Sequence, residues 1–111
     1  MASVGLSDKH AWVAGAWVMH YLLERALLQL DENSTTYQRA KQTVESEIQW
    51  LDLVGVPVDE VRRFSGAIEK VLDELKAAGP DSLSTPEAYP GLVARGDELL
   101  DTLGQYLEQA D

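Results

Sequence analysis

The chain has 111 residues, 45% of them apolar, a length and composition that fit one folded domain over residues 1–111 and set aside intrinsic disorder. Asp+Glu number 19 against 9 Lys+Arg, so the net charge of −10 opposes the phosphate neutralisation on which nucleic-acid binding rests. The absence of cysteine excludes a disulfide framework, a thiolate nucleophile and any Cys-ligated metal.

The most apolar stretch, Ala11 to Leu23, does not read as a leader or a membrane span. It is interrupted by His20, runs into Glu24-Arg25, and falls short of the roughly 20 apolar residues a span needs. Asp8 and a lone Lys9 precede it in place of a basic segment, and no small-x-small cleavage site follows. The expectation is a cytoplasmic protein with no membrane and no nucleic-acid partner.

Turn residues at Asp31 to Ser34, Gly55 to Val58 and Gly79 to Pro90 divide the chain into four periodic stretches. A first helix is expected over 8–31, capped by Ser7 with Asp8 in its first turn. A second, over 35–54, starts at the Ser34-Thr35 cap, carries Tyr37, Ala40, Val44, Ile48 and Leu51 on one face, and stops at Gly55. Pro57 makes Val54 to Val58 a tight link, and Asp59 caps a third helix over 59–78. There Val61, Phe64, Ile68, Val71, Leu72 and Leu75 give the cleanest helical spacing in the chain. Thr85-Pro86-Glu87 suggests one separate helical turn. A fourth helix over 90–109 buries Leu92, Val93, Leu99, Leu100, Leu103, Tyr106 and Leu107. No segment is read as sustained period-two alternation and the links between the first three helices are short, so the expected fold class is all-α, a four-helix antiparallel up-down-up-down bundle. The 79–90 connection, longer than a bundle hairpin needs, is a crossover or a functional loop.

Two features go beyond such a bundle. The first helix is apolar on two sides, with Trp12, Ala16, Met19, Leu23, Leu27 and Leu30 on one and Ala14, Trp17, Val18, Tyr21 and Leu28 on another. Either the helix is central, or Trp12, Trp17 and Tyr21 form an interface, for instance across a homodimer two-fold. The second feature is charge: there are four basic and seven acidic residues before Gly55, and five and twelve after it. From Asp81 to Asp111 a single base, Arg95, faces Asp81, Glu87, Asp97, Glu98, Asp101, Glu108 and Asp111. Asp97, Glu98, Asp101, Gln105 and Glu108 line one helix stripe, and like charges one turn apart do not favour a helix for its own sake. On the third helix, by contrast, Lys70 with Glu74 and Asp73 with Lys76 intersperse the signs.

Chemistry finds few footholds. His20 and Glu24, one turn apart, supply two of the three or more ligands a metal needs, and His10 lies nearly three turns away on the expected helix. The carboxylate pairs of the all-α nucleotide pyrophosphohydrolases have only the Glu98-Asp101 spacing here, and the Glu-x-x-His pairs of di-iron bundles are absent. No P-loop, G-x-S-x-G or G-x-G-x-x-G occurs, and Ser65-Gly66, Gly96 and Gly104 read as close-packing positions. No enzyme activity, cofactor or bound metal is expected.

In size, expected helical architecture and acidity, though in no motif, the chain is similar to the nuclease-inhibiting immunity proteins. That resemblance implies an inhibitor or regulator of a basic protein partner, immunity- or antitoxin-like. Asp97, Glu98, Asp101 and Glu108 would steer the encounter, and Tyr89 or Trp50 would anchor it. The alternatives are a homodimeric structural bundle through the first helix and a metal-dependent enzyme through His20 and Glu24.

Overall fold

The computed structural model describes residues 1–110; Asp111, counted among the C-terminal acids, lies outside them. Alternation governs the first fourteen residues. Ala2, Val4 and Leu6 are buried while Ser3, Gly5 and Ser7 are half-buried, and His10, Trp12 and Ala14 are buried while Ala11 and Val13 are exposed. These residues form strands β1 (Ala2–Ser7) and β2 (His10–Ala14), an antiparallel hairpin that turns at Asp8-Lys9 and pairs Val4 with Trp12. The expected helix over 8–31 is thereby corrected. Helix α1 (Ala16–Leu27) starts only after the extended Gly15, and Asp8 belongs to the hairpin turn.

The expected helix over 35–54 is likewise two elements. Helix α2 (Thr35–Glu45) opens where Ser34 Oγ accepts from the Tyr37 amide, but it buries Thr36, Ala40 and Thr43. The chain then passes Glu47 in the left-handed region, at φ 53°, and enters strand β3 (Trp50–Asp52). Strand β3 pairs with β1 in parallel, Leu51 beside Val4, so the sheet order is β2-β1-β3 and α1-α2 forms the crossover. This three-stranded mixed sheet overturns the all-α bundle: the fold is mixed α and β.

Helix α3 (Val58–Ala78) lies where its spacing put it, one residue earlier at its start, with Pro57 at the cap and Asp59 and Glu60 in the first turn. Its six named apolar residues are all buried, and it ends at Gly79, whose φ of 76° suits a residue without Cβ. The 79–90 connection carries two 3-10 turns, Pro80–Ser82 and Pro86–Ala88, and is pinned by buried Leu83. Helix α4 (Tyr89–Ala110) then packs on α3 and on β2.

One buried apolar cluster joins sheet and helices, and the contact of β2 with α4 ties them together. Trp12, 3% exposed, donates its indole N–H to the Arg95 carbonyl at 2.8 Å. One strand step away the His10 ring meets Tyr106 edge-on, with centroids 5.9 Å apart. On the other side of α4, buried Gly96 receives the Leu72 side chain so closely that a Cβ there would overlap it.

Two stability experiments follow, both read by urea unfolding. Trp12→Ala removes a large core ring and its hydrogen bond and should cost about 3–5 kcal/mol, while Trp12→Phe keeps most of the burial and should cost about 1–2 kcal/mol. Gly104 has open space where a Cβ would sit. Gly104→Ala should therefore stabilise by up to about 1 kcal/mol through helix propensity, whereas Gly96→Ala should destabilise because overpacking Leu72 costs about 1–3 kcal/mol.

Candidate functional site

The stripe singled out on α4 is exposed, but part of it is already neutralised. Asp97 accepts from Lys76 Nζ of α3 at 3.0 Å, and Glu98 holds Arg95, one turn earlier, at 2.6 Å. Asp101 accepts only the Gln105 side-chain amide, and Glu108 makes no ion pair among the described residues. Asp97 has no Lys or Arg one turn away on its own helix. Lys76 was not legible as its partner because the pair exists only once α3 and α4 lie side by side. On α3, Asp73 and Glu69 stand three and seven residues before Lys76, on the same flank of the helix. The outer α3–α4 surface therefore gathers Glu69, Asp73, Asp97, Asp101 and Glu108.

The two proposed anchors are not brought to one place. Tyr89 is half-buried at the head of α4 and packs against the core cluster. Trp50, 62% exposed, stands on the outer face of β3, and β1 separates that strand from β2, the strand on which α4 packs. Trp50 instead borders a shallow groove with Arg39, Thr43, Asp52 and Val54.

The three rings assigned to an interface also separate. Trp12 is inside the subunit, so its assignment to an oligomer interface is corrected: the ring belongs to the sheet core and fills the space over α4. Trp17 is 49% exposed, and its ring lies 5.6 Å from that of Tyr21. The Arg25 guanidinium covers Tyr21 at 3.7 Å, so the α1 surface carries a Trp-Tyr-Arg stack at one-turn intervals.

The His20 Nε2–H donates to the Ile48 carbonyl at 3.2 Å, since a carbonyl can only accept. That bond clips α1 to the irregular link between α2 and β3. Glu24 is exposed, and no group of three or more His, Asp or Glu side chains suited to a metal occurs among the described residues. Sequence reasoning paired His20 with Glu24 through helical spacing and missed Ile48, whose place depends on where α2 stops. No helix among the described residues is long and apolar enough to cross a membrane.

His20→Ala should lower stability by about 1–2 kcal/mol, because a partly buried carbonyl loses its donor. Amide hydrogen exchange should quicken at residues 46–49 before it changes in α3. Equal acceleration throughout the chain would contradict a local clip. Compared with known proteins, this chain matches no family model, no curated protein and no solved structure.

Proposed function

We propose that this protein is a small protein-binding module that inhibits or regulates a basic partner, docking it on the outer α3–α4 surface. One observation carries the proposal. Lys76 and Arg95 are each engaged by one carboxylate, Arg62 on the same flank of α3 is itself engaged, and Asp101 and Glu108 face solvent with no ion-pair partner among the described residues. An acidic ridge of this kind accelerates encounter with a positive surface and disfavours acidic competitors. The likeness to immunity proteins now rests on size and charge, because the sheet removes the shared all-helical class. Tyr89, at the head of α4, remains the nearer candidate anchor on this reading, and Trp50 belongs to a different face. The reading places the protein in the cytoplasm and assigns it no catalytic step.

Pairing of two copies through α1 is less well supported. Trp12 is internal and Tyr21 is covered by Arg25, which leaves Trp17 and the 81%-exposed Leu28 as the apolar contacts there. The metal-dependent alternative lacks a third ligand among the described residues.

The test begins with capture of binders on the immobilised chain at low and high salt, followed by association kinetics of the recovered partner. Asp101→Lys with Glu108→Lys should slow association by about tenfold or more and flatten its salt dependence, while leaving unfolding stability nearly unchanged. Unaltered association rate and salt slope would defeat the proposal.

A further inference from the structure

The two edges of the sheet are treated differently. Ser3 N–H donates to the Gln49 carbonyl and Leu53 N–H to the Gly5 carbonyl, so Ser3 and Gly5 turn their main-chain groups toward β3. Trp50 and Asp52 therefore point theirs outward, and side chains of α2 cap the carbonyls. Thr43 Oγ1 donates to Trp50 O at 3.0 Å, and Arg39 donates to Asp52 O at 2.8 Å and to Val54 O at 3.2 Å. The carbonyls of the β3 edge are thus capped by its own neighbouring helix.

The same alternation turns Ala2 and Val4 toward β2, making Ala2 with Ala14 and Val4 with Trp12 the hydrogen-bonded pairs. Ala11 and Val13 are left with four main-chain groups directed away from β1. Both residues are exposed, Val13 to 48%, and among the described residues no side chain donates to or accepts from their main-chain groups. Strand β2 carries none of the usual protections of an edge: no Lys, no Pro and no bulge of its own.

We infer that this edge pairs with the β2 edge of a second copy, giving a two-fold dimer with one continuous six-stranded sheet. The self-complementary register is defined: with Trp12 opposite Trp12 of the second copy, Ala11 and Val13 exchange two main-chain hydrogen bonds at each end, using all four outward groups. Charge favours a second copy on this face despite the net −10. The side of α4 that flanks β2, marked by the contacts of Arg95 and Tyr106, carries Arg95, Leu99, Thr102, Tyr106 and Gln109. Its only charge is the arginine, which Glu98 closes, whereas Asp97, Asp101 and Glu108 lie around the helix, away from β2. Two acidic molecules can therefore meet here with their like charges apart. This dimer leaves the α3–α4 ridge open and does not depend on the partner proposed for it.

The experiment is sedimentation velocity of the full chain over a range of concentrations, at low and high salt. A dimer that tightens as salt rises is expected, because screening relieves residual repulsion; docking of a basic protein on the ridge weakens under the same change. Val13→Pro removes an outward N–H that the β1 ladder does not use, and Ala11→Lys with Val13→Lys adds charge without touching the main chain. Each should weaken dimerisation by about tenfold or more with an unchanged far-ultraviolet spectrum. Since the natural chain has no cysteine, register can also be read directly. An equimolar, oxidised mixture of Ala11→Cys and Val13→Cys chains should form the mixed dimer well beyond the twofold excess over each like pair that random pairing gives. A chain that stays monomeric at high concentration, a dimer indifferent to both edge variants, or mixed cross-links no more frequent than random pairing gives would overturn the inference.

Discussion

The whole arrangement depends on how strand β2 is held against helix α4. Trp12 reaches from the sheet into the space above α4 and donates to Arg95 O, while His10 and Tyr106 close the neighbouring position. An indole is large enough to bridge a sheet and a helix, and its one donor needs a partner when buried. The main-chain carbonyl of α4 supplies that partner at a defined point, which sets where the helix lies along the strand. Once α4 is placed, Gly96 lets α3 approach through Leu72, and Lys76 comes within reach of Asp97.

The same contact decides what each side of α4 presents. The side on β2 is nearly neutral, the side on α3 is buried leucine and glycine, and the remaining circumference carries the acids. The surface has two distinct characters, an acidic ridge over α3–α4 and an uncharged strand edge at β2. On the readings proposed above, the first would face a positive partner and the second a copy of the chain. Exposed pairs such as Arg95 with Glu98 add little to stability, so the placement of charge bears mainly on encounter and solubility.

Much of the helical half was legible beforehand. The run from Val61 to Leu75 and the leucines of α4 repeat at a spacing only a helix satisfies, and both helices lie where that spacing put them. The excess apolarity of the supposed first helix, from Trp12 through Leu28, has a simple physical origin. It is the sum of two buried faces, one of a strand ending at Ala14 and one of a helix starting at Ala16, with only Gly15 between them. Ala2, Val4 and Leu6 alternate with Ser3, Gly5 and Ser7, so the first strand was legible in the sequence at period two and the all-helical expectation overlooked it. At the candidate surfaces, the exposed acids of α4 are legible in the sequence while the cation that α3 brings to Asp97 is not, and of the two places open to Trp12, core or interface, the structure takes the core.

Composition, charge and helical periodicity determined that this would be a small, acidic, helix-rich chain without thiol chemistry, and they located α3 and α4 closely. Local pattern suffices there because a long amphipathic helix buries one continuous stripe whatever its neighbours are. Tertiary structure alone decided that Trp50–Asp52 becomes a strand, that Trp12 packs against α4, and which carboxylates remain without a cation. A short strand gains its hydrogen bonds and its burial from residues distant in sequence, as Leu51 does from Val4, so its stability is a property of the assembled sheet and not of its own few residues.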